Sequence, residues 1–178
     1  MSHSTTHQRV SALCRALSAA AVAGTAWISP AHADFAGQDW KGYSGVNCMS
    51  QNVGEAVRRS AVNQSGLFNI GTSTVRVFCP VVRDVSEAGD NRVTAVAVRF
   101  RNRNSTVTGR CEFSSHDQNG IRIATRSAPA PFGETTLQLG PMDASAWGSY
   151  VLQCELPGRD SVTGLQSYIV NYRVDEAL

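Results

Sequence analysis

Apolar and polar residues alternate with a period of two along most of the chain from Gly45 onward. Turn-forming residues interrupt the alternation about every 8 to 12 residues, a spacing typical of all-β sandwiches and barrels. The strands that this pattern predicts are 46–49, 56–63, 67–70, 72–79, 92–101, 106–114, 120–126, 135–139, 149–156 and 166–174. We therefore predict an all-β fold, an antiparallel two-layer β-sandwich of about 8–10 short strands, with a closed barrel as the alternative.

The alternation also predicts which side chains of each strand face the core. Cys111 and Phe113 share the inward face of one predicted strand, and Ile121 and Ile123 share that of the next. The step Asn119–Gly120 lies between these two strands and is a strong hairpin signal. The last predicted strand places four residues on one face: Tyr168, Val170, Tyr172 and Val174.

Three of the predicted strands contain a cysteine that an aspartate follows five or six residues later. This spacing indicates three strands of like orientation that end in Asx-type turns, in which the aspartate oxygen accepts backbone N–H groups. The pairs are Cys79 with Asp84, Cys111 with Asp117, and Cys154 with Asp160.

Residues 1–33 have a different pattern from the rest of the chain. A polar stretch with two arginines is followed by an apolar run, 16–28, and then by Ala31–His32–Ala33. This order is typical of a secretory signal peptide with an A-x-A cleavage site. We predict cleavage after Ala33 and a single secreted domain, 34–178, that is periplasmic or extracellular. The apolar run is shorter than the roughly 20 residues that cross a bilayer, so we expect the protein not to span a membrane.

Removing the predicted signal peptide changes the net charge. The full chain has 16 Lys+Arg and 14 Asp+Glu, a formal charge of +2, and the loss of Arg9 and Arg15 leaves 14 against 14, or 0. A neutral domain has no field that would favour nucleic acid as a partner, so we expect none. The hydrophobic content of 42% is enough for a packed core and excludes a disordered polar chain.

The cysteines also change in number. Cys14 belongs to the predicted signal peptide, and its removal leaves Cys48, Cys79, Cys111 and Cys154. An even number of cysteines in an exported domain predicts two disulfides. Consecutive cysteines are more than thirty residues apart, whereas structural zinc sites need close ligand pairs. Three pairings are open, and we favour Cys48 with Cys79 and Cys111 with Cys154 because these close the two shortest loops that do not overlap.

Four segments together resemble a known group of proteins. They are the V-x-V-x-C-P-V-V-R-D stretch over 75–84, Gly45–Val46–Asn47–Cys48, the R-N-R-N-S-T-V-T-G-R-C stretch over 101–111 and the ending Y-x-V-x-Y-R-V-D over 168–175. With them the chain resembles a group of short, uncharacterised exported bacterial proteins that have four cysteines. The resemblance implies a bacterial origin and an envelope or extracellular location, and it implies no activity.

The chain carries few signs of catalytic chemistry. His116 is the one histidine after residue 33, and its place beside the predicted Asn-Gly turn is poor for a Ser-His-Asp triad. No nucleophile elbow, P-loop or zinc-protease motif is present. Carboxylates could hydrolyse glycosides without a histidine, but nothing in the sequence pairs the candidates, which are Asp84, Glu112, Asp117, Glu134 and Glu155. We predict no catalytic residue and no enzyme, with a carboxylate-based glycoside hydrolase as the third function considered.

The loop 83–91 carries several oxygen donors, as a calcium loop would. Asp84, Glu87 and Asp90 are its candidate ligands, but their spacing matches no EF-hand, and solvated turns often have this composition. We therefore predict no metal site and no cofactor.

Two kinds of side chain are candidates for binding. Trp40 and Trp147 could present aromatic rings to a sugar. Arg99, Arg101 and Arg103 alternate, so they would line one strand face and the loop beyond it, although acidic residues on neighbouring strands could pair with them. We predict a non-catalytic protein with a structural or interaction role at the bacterial envelope. The sequence identifies no partner, and the two candidates are an envelope protein and a glycan. The alternative is a carbohydrate-binding module that uses these aromatics or this arginine-lined face.

Overall fold

The computed structural model describes residues 38–51, 57–59, 66–83 and 92–177. The predicted signal peptide and the calcium candidates Asp84, Glu87 and Asp90 lie outside these residues. The described parts of the chain form strands and one short 3-10 turn, Gly45–Asn47. The strands are β1 Gln38–Ser44, β2 Met49–Ser50, β3 Val57–Arg59, β4 Leu67–Asn69, β5 Val75–Cys79, β6 Arg92–Asn102, β7 Gly109–His116, β8 Arg122–Ala130, β9 Gly133–Gln138, β10 Met142–Asp143, β11 Ser149–Leu156 and β12 Tyr168–Ala177.

These strands form two sheets, which confirms the predicted sandwich. The seven-stranded sheet has the order β10-β6-β12-β4-β3, with β1 also paired to β12 and β9 also paired to β6. The five-stranded sheet has the order β2-β5-β11-β7-β8. Neighbouring strands are antiparallel throughout the described ladders. In the described residues, no helix is long and apolar enough to cross a membrane.

Both sheets contribute to one hydrophobic core. From the seven-stranded sheet, Val98, Phe100 and Ile169 are completely buried, and from the five-stranded sheet so are Phe113 and Leu152. Each such side chain stabilises the fold by about 1.5–3 kcal/mol relative to an exposed position. The inward faces of the two sheets therefore pack against each other, which explains why every second residue of the strands is apolar.

Both favoured disulfides are present. Cys111 and Cys154 lie directly opposite each other on β7 and β11, and Cys48, just before β2, is bonded to Cys79 at the end of β5. All four cysteines thus stabilise the five-stranded sheet, and neither disulfide crosses to the other sheet. The closed loops of 31 and 43 residues each correspond to about 3–4 kcal/mol on a chain-entropy estimate.

The first strand was not predicted. β1 pairs with β12 over seven residues, from Gln38 opposite Ala177 to Ser44 opposite Asn171. Its inward positions include Lys41 and Tyr43, so the strand lacks the aliphatic alternation that reveals a half-buried strand. Pairing with β12 and polar contacts to it hold this segment in place.

The predicted inward face of β8 is wrong. Ile121 is 64% exposed and Ile123 is 43% exposed, because a register shift opposite Ser115 and His116 changes the alternation at the start of the strand. β8 is also the edge of its sheet, where one face is only partly covered. Its residues that pack on the core are small and come later: Ala124, Ala128 and Ala130.

The predicted face of β12 is correct at Tyr172 and Val174, which are buried, and wrong at Tyr168 and Val170. A register irregularity between Ile169 and Asn171 moves Ile169 into the core and leaves Val170 half-buried. The backbone here is tightly enclosed, since a Cβ added to Gly66 would lie 1.2 Å from the Ile169 carbonyl oxygen. Glycine is therefore required at this close approach.

The predicted Asx turns are confirmed for two of the three aspartates. Asn119 and Ile121 each donate a backbone N–H to Asp117 Oδ1 at 2.8 Å. Asp160 accepts the backbone N–H groups of the residues two and three positions after it at 3.0 and 2.8 Å. Asp84 lies outside the described residues. The like orientation was wrong, because β11 is antiparallel to both β5 and β7 and its turn lies at the other end of the sheet.

Candidate functional site

The outer face of the seven-stranded sheet carries a row of aromatic and charged side chains. Phe68 on β4 is opposite Tyr168 on β12, Tyr168 is opposite Arg101 on β6, and Arg101 is opposite Glu134 on β9. Four residues from four strands therefore lie side by side. We call Phe68, Tyr168, Arg101 and Glu134, with the adjacent Arg99, the outer row.

Its aromatic half is a stacked pair. The rings of Phe68 and Tyr168 are 4.5 Å apart between centroids with an interplanar angle of 27°. The Arg101 guanidinium carbon lies 5.4 Å from the Tyr168 centroid, within the range of a cation–π contact. Arg101 also donates a hydrogen bond to the Tyr168 hydroxyl at 2.6 Å. Both aromatic side chains are half-buried, so one part of each supports the sheet and another part faces solvent.

Its charged half is organised around Glu134. Arg99 donates from Nε to Glu134 Oε1 at 2.6 Å, and Arg101 donates from a terminal guanidinium nitrogen to Oε2. These hydrogen bonds, with Arg101 first and Arg99 second, hold the pKa of the Glu134 carboxyl below its ordinary value. The bond to Glu134 raises the pKa of Arg101 in turn. Glu134 fixes both guanidinium groups in position.

The arrangement suits recognition of a polar ring. The exposed parts of the two rings can contact the C–H groups of a sugar, while the arginines and the carboxylate beside them supply donors and acceptors in fixed positions. Exposed ion pairs of this type add little to stability, so the row contributes more to the chemistry of the surface than to the fold.

The sequence-predicted binding residues do not all lie together. Arg99 and Arg101 are in the outer row, whereas Arg103 lies beyond the end of β6, where its backbone N–H donates to Ser167 Oγ at 3.0 Å. Trp147 is 64% exposed in the loop between β10 and β11, away from the row. Trp40 lies in β1 opposite Asp175.

Sequence reasoning missed Phe68 and Tyr168 as a site. They are far apart along the chain, and only the pairing of β4 with β12 brings them together. The one available signal was the outward alternation of each strand, which does not give the register between strands.

The candidate catalytic carboxylates on the five-stranded sheet are in structural contacts. Glu155 forms an ion pair with Arg76 at 2.9 Å, and Glu112 lies 3.7 Å from Arg122. Asp117 accepts the turn N–H groups described above. Among the described residues there is no group of three His, Cys, Asp or Glu side chains that could hold a metal ion.

A second charged cluster, which we call the buried cluster, lies inside the sandwich. Glu176 on β12 contacts Lys41 Nζ at 2.7 Å and Arg83 Nε at 3.4 Å. The Tyr150 hydroxyl donates to Glu176 Oε1 at 2.8 Å, and the Arg83 guanidinium lies 5.0 Å from the Tyr150 ring centroid. Burial, followed by the bond to Glu176, raises the pKa of Tyr150 well above its ordinary value. Nothing in the pattern of the sequence predicted this cluster.

Comparisons with known proteins add little. No family model matches the chain, and no curated protein matches it significantly. Among solved structures, the chain is similar to dimeric latent PorU from Porphyromonas gingivalis, with 14% sequence identity and a TM-score of 0.36. The similarity covers 79% of this chain and 12% of that one.

Proposed function

We propose that this is a non-catalytic, exported bacterial protein with a structural or interaction role at the cell envelope, in the periplasm or outside the cell. Two disulfides support export, because such bonds persist in oxidising compartments. The signal-peptide pattern that ends at Ala33 and the resemblance to exported bacterial proteins support the same location.

The observation that carries the interaction role is the outer row. It places a stacked aromatic pair beside two arginines whose positions Glu134 fixes, on a sheet face that the described residues leave accessible. Aromatic residues and arginine are the types most enriched at the centres of binding surfaces. A partner that binds here would meet a surface ordered before binding, which lowers the entropy cost of association.

Site-specific crosslinking on intact cells tests this role. A photocrosslinking amino acid would replace Thr136, which is exposed on β9 and lies opposite Arg99. The matched control would replace Ser127, which is exposed on β8 of the other sheet. We expect a discrete crosslinked species from position 136 and none from position 127. Equal crosslinking from both positions, or none from either, contradicts an interaction role for the outer row.

The absence of catalysis is a separate part of the proposal. We expect no turnover of generic glycoside substrates by the purified protein. Turnover that Glu134→Gln or Glu155→Gln abolishes would replace the proposal with a carboxylate-based hydrolase.

Carbohydrate binding is the second candidate function, and the Phe68–Tyr168 stack beside Arg101 favours it. Retardation on insoluble polysaccharides and a glycan array would measure it. We expect Tyr168→Ala to abolish binding and Trp147→Ala to leave it unchanged. Binding that is lost with Trp147→Ala and kept with Tyr168→Ala would assign the sugar to the loop between β10 and β11 instead.

A further inference from the structure

A separate groove lies at the end of the sandwich where β6 and β11 end. It has a volume of about 680 Å³ and lies between the loop after β6, the loop between β11 and β12, and Thr72. A volume of this size is within the usual range for small-molecule sites. The groove shares no residue with the outer row.

Two buried polar residues build its walls. Asp160 is 3% exposed and accepts hydrogen bonds from Ser105 of the loop after β6, from its backbone N–H at 3.1 Å and from its hydroxyl at 2.8 Å. Asn104 is 7% exposed, donates to the Gly158 carbonyl at 3.0 Å and accepts the Val107 N–H at 2.9 Å. Side-chain hydrogen bonds therefore connect the loop after β6 directly to the loop between β11 and β12.

The carboxylate of Asp160 is fully engaged in this role. The Thr163 N–H and the Ser105 N–H and hydroxyl hold the pKa of that carboxyl well below its usual range. A close backbone approach also fixes the loop, because a Cβ on Gly158 would lie 2.2 Å from the Thr72 carbonyl oxygen. The groove is thus formed before any ligand arrives.

The groups left to contact a ligand are few and specific. Arg159 lines the groove and is exposed, and its side chain makes no hydrogen bond or ion pair with the described residues. Thr72 and Ser161 are exposed and add hydroxyl groups. Val162 is 88% exposed and Val107 is 39% exposed, which leaves small apolar patches at the rim.

We propose that this groove binds a carboxylate-bearing sugar residue of an acidic glycan. Arg159 forms a two-bond contact with the sugar carboxylate, a geometry for which the guanidinium is suited. Thr72 and Ser161 hydrogen-bond sugar hydroxyls, and Val162 covers a C–H face of the ring. A sugar fits better than a peptide terminus because the lining offers several hydroxyls and no deep apolar pocket for a side chain. This inference stands whether or not the outer row binds a glycan.

Isothermal titration calorimetry with trigalacturonate tests the proposal. The purified protein should bind trigalacturonate and should bind its methyl ester, which lacks the charge, about ten- to a hundred-fold more weakly. Arg159→Gln should cause a loss of the same size. Arg126→Gln is the matched control, because Arg126 is also exposed but lies on β8 and donates to the Thr125 carbonyl.

Val162→Asp gives an independent variant, since a carboxylate at an exposed rim position should repel the ligand without disturbing the core. Thermal unfolding of each variant checks the fold. Trigalacturonate that produces no heat, or an affinity that Arg159→Gln leaves unchanged, overturns the proposal. Equal binding of the methyl ester, or equal affinity for a short peptide with a free carboxyl terminus, overturns it as well. None of these outcomes depends on Tyr168, so a failure here is distinct from a failure of the outer row.

Discussion

The outer row and the buried cluster each contain a carboxylate, two cationic side chains and a tyrosine that lies against one of the cations. They differ in burial. The Glu134 side chain is 32% exposed, whereas that of Glu176 is 7% exposed. Water and salt compensate the charges of the outer row, but only protein groups can compensate those of the buried cluster. The same set of groups is therefore available for binding in one place and is part of the fold in the other.

The largest expected effect is the loss of stability when the buried carboxylate, Glu176, is removed, compared with removal of the exposed one, Glu134. Glu176→Ala removes the buried carboxylate that both Lys41 and Arg83 contact, and we expect a loss of about 3–5 kcal/mol in the free energy of unfolding. Glu134→Ala removes the equivalent exposed group and should shift Tm by no more than about 2 °C. Urea and thermal unfolding measure the two changes. Similar losses for both variants would show that burial does not separate the two clusters.

Tyr150 in the buried cluster and Tyr168 in the outer row allow the same comparison, with smaller expected changes in stability. Tyr150→Phe removes the hydroxyl that donates to Glu176, leaves a buried acceptor with one partner fewer, and should cost about 1–3 kcal/mol. Tyr168→Phe removes a hydroxyl at a half-buried position and should change stability much less. Chemical denaturation of both variants measures the difference. A larger loss of stability for Tyr168→Phe would show that the outer row, and not the buried cluster, stabilises the fold.

Alkaline titration tests the same tyrosine without a substitution. Because the folded-state pKa of Tyr150 is raised, its stabilising contribution is complete below the unfolded pKa of about 10 and declines as pH rises above it. We expect Tyr150 to ionise only on unfolding, while the stability of the wild-type protein falls above this pH more steeply than that of Tyr150→Phe. Near-ultraviolet absorbance of tyrosinate and alkaline unfolding curves follow both. Ionisation of every tyrosine in the folded protein contradicts the expectation.

The comparison also shows what the sequence could reveal. Strand alternation and cysteine spacing predicted the sandwich and both disulfides, because these depend on local periodicity and loop length. Neither cluster could be predicted, because each depends on the register between strands that are distant along the chain. β1 could not be predicted for a related reason, since an inward lysine is compatible with the core here because its ammonium pairs with Glu176, a contact that the sequence does not show.

The smallest expected effect concerns salt. Glu134→Gln keeps the shape of the side chain and removes its charge, so it should lower Tm by about 1–2 °C at low ionic strength. At 1 M salt the Debye length is about 3 Å, and this difference should disappear because the pairs with Arg99 and Arg101 are exposed to the ions. Glu176→Gln should keep its full deficit at the same salt concentration, since the buried cluster excludes ions. Thermal unfolding of both variants at low and high salt measures the contrast. A deficit of Glu176→Gln that salt removes would show that ions reach the buried cluster, and the distinction between the two sites would then rest on geometry instead of burial.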